Sequence, residues 1–181
     1  MSKSEIMTIL LCSHFGSFRN LKHYYLFFIE EHLASYFLYA VSYTRFVELM
    51  PCVFFDLMSF MRIQGFGKCM GISFVDSTMI PVCHNMRRKF NKVFDGLTKN
   101  GKGTMGWCPG LKMHLLCNEM SDVLTFYLTP ANVDDRNPRV WKVFTKVLYG
   151  KVFADKGYIK QEFFENLFNQ GIHLVHGLSR T

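Results

Sequence analysis

Ile72-Ser73-Phe74-Val75-Asp76 is a short apolar run closed by an acid, and there the chain changes its period. Upstream, apolar residues recur at threes and fours. Leu26, Ile29, Leu33 and Phe37 share one face of a helix wound at 3.6 residues per turn. Ser4 precedes a first helix, and Ser42 or Thr44 starts another over Arg45–Arg62. Gly65, Gly67 and Gly71 then punctuate the chain as a linker. Downstream, Leu111–Cys117 and Val123–Thr129 read as strands joined by the polar turn 118–122, a hairpin. Asn137-Pro138 caps a helix to about Tyr149, and Lys151–Ala154 is another strand, ending at Asp155. Lys160–Gln170 is a helix closed by Gly171, and Ile172–Gly177 is a last strand. The order predicts a helical region over 1–71 and a mixed α/β domain over 72–181.

The composition fits this division. In 181 residues, 49% hydrophobic and 19% charged, there is enough apolar content for a packed core, which excludes disorder. The richest apolar stretch, Leu21–Val41, holds Lys22, His23, Glu30, Glu31 and His32, too many polar charges for a membrane span. Six cysteines include no CxxC pair, and no secretory leader opens the chain. Zinc-ribbon spacing is absent, and reduced thiols in the cytoplasm are the expectation. The net charge is +7, of which +6 falls in residues 72–181. That excess favours an anionic partner such as nucleic acid. No GxxxxGK[ST], GxGxxG or GxSxG motif supports a nucleotide loop or a serine hydrolase.

Asp76 and Asp155 each follow a short apolar strand, and in α/β sheets ligands gather at the carboxyl ends of strands. Two converging carboxylates repel unless a divalent cation such as Mg²⁺ neutralises them. The same residue type also simply starts turns, so the pattern alone leaves both roles open. Between His84 and Lys102 lie six Lys/Arg against one acid, Asp95. Arg87, Arg88, Lys89 and Lys92 in that stretch suit phosphate-backbone contact or a solvated face. Lys112 and His114, two apart on a strand, share a face as cations beside an anionic substrate would. Asp134 and Asp135 read as acids at a helix start or as supports for a site.

Taken in order, Gly71-Ile72-Ser73-Phe74-Val75-Asp76-Ser77-Thr78, Cys83-His84-Asn85, Gly110-Leu111-Lys112-Met113-His114-Leu115, Leu128–Arg136 and Phe153-Ala154-Asp155-Lys156-Gly157-Tyr158 form a series. It resembles the DDE-type bacterial insertion-sequence transposases, most closely the insertion-sequence 982 family. Ser4–Thr8 and Val41–Pro51 resemble that family's N-terminal helical part. The resemblance implies a ribonuclease-H-like mixed sheet with flanking helices, preceded by a small helical region. It implies Asp76 and Asp155 as the first two metal-binding acids, holding Mg²⁺ or Mn²⁺. It further implies cleavage of double-stranded DNA at transposon ends, strand transfer into target DNA, and a homo-oligomer when complete. Arg87, Arg88, Lys89, Lys92, Lys112, His114 and Lys156 would hold DNA phosphates. The family's third acid, a glutamate, follows the final strand, whereas this sequence stops at Thr181. The sequence therefore reads as truncated at both ends, with transposition by this chain alone absent or impaired. A non-catalytic DNA-binding remnant that interferes with an intact transposase is the alternative.

Overall fold

The computed structural model describes residues 1–84, 86, 94, 96–103, 106–158 and 161–176. The chain divides into two compact units, Met1–Gln64 and Gly65–Thr181. Residues 65–71 belong with the second because they bond to it. Gly67 donates its amide to Val123 O at 2.9 Å, and Tyr149 donates its hydroxyl to Cys69 O at 2.9 Å.

In the first unit, helix α1 spans Lys3–Cys12. Its cap is Ser2 rather than Ser4: Ser2 Oγ accepts from the Glu5 amide while the Glu5 carboxylate accepts from the Ser2 amide. Helix α2, Leu21–His23, runs into a wider π-helical segment, Tyr24–His32, closed by Leu33 N donating to Phe28 O at 3.0 Å. Of the expected face, Ile29 is buried and Leu33 and Phe37 pack against the core, while the wider winding also turns Tyr24 and Tyr25 inward. Tyr24, Tyr25 and Ile29 are buried, while Leu26 is partly exposed. The single helix expected over Arg45–Arg62 is broken into α3 (Tyr43–Leu49), capped by Ser42, and α4 (Phe54–Phe60). Pro51 lacks an amide proton, and the chain tightens into a 3₁₀ turn over Met50–Val53 between them. Ile6, Ile9, Tyr24, Tyr25, Ile29, Phe46 and Val53 form the core of this unit.

The second unit is a six-stranded sheet: β1 (Ile72–Pro81), β2 (Lys99–Gly103), β3 (Gly106–Asn118), β4 (Val123–Pro130), β5 (Gly150–Ala154) and β6 (Ile172–His176). β3 is the spine. One edge pairs antiparallel with β1, from Ser73↔Asn118 to Pro81↔Gly110. The other edge takes β4 along Leu111–Cys117 and β2 along Gly106–Gly110. β5 joins β1 in parallel, and β6 joins β5 in parallel. The order β4-β3-β1-β5-β6, with three antiparallel strands followed by two parallel ones, is the ribonuclease-H-like arrangement expected from the sequence. The short strand β2 inside the basic insertion was not expected.

Helix α5 (Pro138–Phe144) leads from β4 into β5, and helix α6 (Gln161–Asn169) connects β5 to its parallel neighbour β6. Asn137 caps α5 by accepting from the Arg139 amide at 2.9 Å. α5 buries Val140, Trp141 and Phe144 against Val75, Leu116, Leu124, Val152 and Leu174 of the sheet. At the start of β5, Gly150 adopts φ +79°, and a Cβ there would collide with the Gly71 carbonyl. That carbonyl accepts from the Lys151 amide at 2.7 Å, so only glycine lets β5 close onto the residue preceding β1.

Candidate active site

The parallel pairing of β1 and β5 runs through Ile72↔Lys151, Ser73↔Val152, Phe74↔Phe153 and Val75↔Ala154. The next residue on each strand is an aspartate, Asp76 and Asp155, so the register sets them side by side. Of the two expected strand ends, one holds and one needs correction. β5 stops at Ala154, but β1 continues to Pro81 because β3 goes on pairing with it, Asp76 lying opposite Leu115. Asp76 marks the place where the parallel partner leaves, not the end of its own strand.

Strand alternation fixes which face the pair occupies. Val75 and Ala154 are buried under the helices. Phe74 and Phe153 therefore point the other way, where their rings stack at 5.4 Å. Asp76 and Asp155 lie on that second face, and both are exposed. Asp76 Oδ1 accepts from the Ser77 amide at 2.7 Å, and the Asp155 carbonyl accepts from the Tyr158 amide at 3.0 Å. The latter bond closes the 3₁₀ turn Lys156–Tyr158. Adjacent strands stand about 4.8 Å apart, a separation at which two carboxylates repel unless a cation lies between them. Among the described residues no group of three His, Cys, Asp or Glu side chains is placed to hold a metal.

Lys112 and His114 share a face, as their spacing predicts, but it is the face of Leu116 and the helices rather than that of Asp76. What draws them together is Asp135. Its Oδ1 is 3.2 Å from Lys112 Nζ and 3.5 Å from His114 Nδ1. His114 is 0% exposed and shares a 3.0 Å hydrogen bond between Nε2 and Thr129 Oγ1. The expected contact of His114 with DNA phosphate is corrected by this burial, since no solvent-borne ligand reaches its ring. Lys112 is held in an ion pair, with 21% of its side chain exposed. Arg87, Arg88, Lys89 and Lys92 lie outside the described residues, as does the side chain of Lys156.

Burial holds the His114 pKa below its ordinary value; Asp135 opposes that shift and Lys112 adds to it. The folded chain thus keeps a neutral imidazole where the unfolded chain begins to bind a proton. The unfolded state takes up more protons as pH falls through about 6.5, so stability drops on acidification and recovers as pH rises. One proton sets a ceiling of about 1.4 kcal/mol per pH unit on this slope. Urea midpoints of the parent and His114→Gln, measured from pH 7 down to pH 5, are expected to diverge, with the variant showing the flatter profile.

Asp135 and Tyr158 are the residues whose part the sequence does not reveal. Asp134 and Asp135 are neighbours of identical chemistry with opposite fates. Asp134 is exposed and paired with Arg136 (Nη2 to Oδ2, 2.6 Å), whose hydrogen bonds hold its carboxyl well below the usual range. Asp135 turns inward, and its carbonyl accepts from Trp141 Nε1 at 3.3 Å. Tyr158 is buried, which pushes its phenol well up; Ser77 opposes this, while Asp135, Asp76 and Asp155 add to it. The only signal in the sequence is the DD pair before the Asn-Pro cap, which does not say which acid faces in.

Among solved structures, the chain is similar to a piggyBac transposase in a synaptic complex with hairpin DNA, at a TM-score of 0.54 and 10% identity. The likeness covers 99% of this chain and 42% of that one, so it concerns fold alone. No curated protein sequence matches. Residues 66–181 match the family model described as a transposase DDE domain. That match takes in both register-paired aspartates, β1 to β6 and more than half of the sequence, and the chain belongs to the DDE transposase domain family.

Proposed function

We propose that this chain is the catalytic part of a DNA transposase of a bacterial insertion sequence, of the insertion-sequence 982 type, that breaks and rejoins DNA strands with Mg²⁺ or Mn²⁺. The observation that carries the reading is the pair Asp76 and Asp155 at one level of neighbouring parallel strands. The donor set fits a hard divalent cation: two carboxylates give anionic oxygen ligands and leave positions for water and phosphate oxygens. When bound, such an ion supplies positive charge that polarises a phosphodiester and lowers the pKa of a coordinated water. Asp76 and Asp155 hold it, with Asp76 fixed by its own strand and Asp155 by the turn behind it.

Double-stranded DNA is the proposed partner, at transposon ends and at the target, with a homo-oligomer as the working assembly and the cytoplasm as its place. Arg87, Arg88, Lys89, Lys92 and Lys156 are proposed to meet its phosphates, whereas Lys112 is held by Asp135 on the helix-covered face. Among the described residues no helix is long and apolar enough to cross a membrane. A second reading, DNA binding without cutting, is favoured by the finding that no third metal-binding side chain joins the pair among the described residues.

Two measurements on the full chain test this. Duplex affinity at several salt concentrations is expected to fall with a slope near −0.9 per phosphate engaged. Supercoiled plasmid is expected to be nicked with Mg²⁺ or Mn²⁺ and not with EDTA. Binding without nicking supports the second reading; neither binding nor nicking overturns both.

A further inference from the structure

Asp135 has an unusual placement for a loop acid. Its side chain is 24% exposed, whereas that of Asp134 beside it is 54% exposed. Taking a carboxylate out of water is costly unless cations and donors compensate it. The compensating cation comes from β3: Lys112 Nζ lies 3.2 Å from Oδ1, and the neutral His114 ring stands beside the same oxygen with Nδ1 at 3.5 Å. The other oxygen faces the turn after Asp155, where a Cβ on Gly157 would stand 3.7 Å from Oδ2. One carboxylate therefore bonds the spine strand through one oxygen and lies beside Gly157 of the Asp155 turn with the other.

Two further observations point to the same spot. His114 Nδ1 and Tyr158 Oη are buried and have no well-formed hydrogen bond among the described residues. Native structures leave few such atoms, and those that remain call for a reason. Both belong to groups near Asp135: His114 at 3.5 Å, and Tyr158, whose phenol is pushed up by burial first and also by the charges of Asp135, Asp76 and Asp155. Tyr158 is also the residue whose amide closes the turn onto the Asp155 carbonyl.

We propose that Asp135 is a positioning residue for the proposed metal pair, its carboxylate clamping the Asp155–Tyr158 turn to Lys112 and His114 of β3 so that Asp155 stays level with Asp76. The clamp works from the helix-covered face of the sheet, behind the face that bears the pair. Its effect on metal binding rests on the reading of Asp76 and Asp155 as the metal-holding acids; the clamp itself does not.

Two readouts on the full chain separate these. Asp135→Asn keeps size and removes the charge. It is expected to speed exchange of the Tyr158 amide about tenfold while amides of Val152 and Leu174 keep their protection. Manganese affinity, read by electron paramagnetic resonance of Mn²⁺ alone, is expected to weaken about tenfold, as for other groups that orient metal ligands. Asp135→Glu is expected to recover both in part. If Asp135→Asn does not fold, Lys112→Met removes the clamp's cation and is read in the same two ways. Unchanged Tyr158 exchange, or a rise shared by all strand amides, overturns the proposal. Unchanged Mn²⁺ affinity in a variant with a loosened turn overturns the link to the pair. If the parent chain binds no Mn²⁺, the metal reading fails and Tyr158 exchange alone decides the clamp.

Discussion

Asp76→Ala is expected to abolish metal-dependent DNA nicking, by on the order of a thousandfold or more, and to leave duplex binding intact. The split follows from position. Asp76 is exposed, and its backbone stays paired with β3 through Leu115, so losing the carboxylate removes a ligand without opening the core. It also removes one of two negative charges from a face that must admit phosphate, so binding without metal is expected to tighten slightly. The same substitution at Asp134 is the control, because that acid pairs with Arg136 at the surface. Plasmid nicking with Mg²⁺ and Mn²⁺, beside a binding titration, decides the matter. Nicking that survives Asp76→Ala would place the chemistry elsewhere in the chain.

Trp141→Ala is expected to cost about 3–5 kcal/mol and to unfold most of the second unit's tertiary structure. Trp141 is 1% exposed, and its ring meets Phe144 at 5.9 Å and Tyr158 at 6.1 Å, edge to face. Its Nε1 also donates to the Asp135 carbonyl, so truncation empties the largest buried volume and frees the loop that carries Asp135. Trp141→Phe keeps most of the apolar contact and is expected to lose roughly half as much. Urea unfolding followed by far-ultraviolet circular dichroism measures both. A loss below about 1 kcal/mol for Trp141→Ala would mean that α5 is not the keystone of this core.

Much of the fold was legible because the second unit obeys local rules. Alternation in Leu111–Cys117 and Val123–Thr129 marks β3 and β4, Asn137-Pro138 marks the start of α5, and Gly171 marks the end of α6. What stayed hidden depends on partners distant in sequence. β1 runs past Asp76 only because β3 is long enough to pair with it to Pro81. β2 is a run of Lys, Asn and Gly with no strand propensity, ordered by the opposite edge of β3. In the site, two aspartates ending apolar runs were visible from spacing, and their side-by-side register is a property of the sheet. The inward turn of Asp135 and the burial of His114 were not visible, since a two-residue period says which residues share a face but not which face is covered.

The parallel register that aligns Asp76 with Asp155 also governs when the pair comes into being. The β3–β4 hairpin closes over a few residues and forms early, whereas β1 meets β5 across a separation such as Ile72 to Lys151. Loop-closure entropy makes that long-range pairing a late step in folding. A chain leaving the ribosome is thus expected to complete its antiparallel half first, with the two carboxylates brought side by side when β5 docks. Newly made protein is therefore expected to pass through a stage in which the antiparallel strands are paired and Asp76 and Asp155 are still apart.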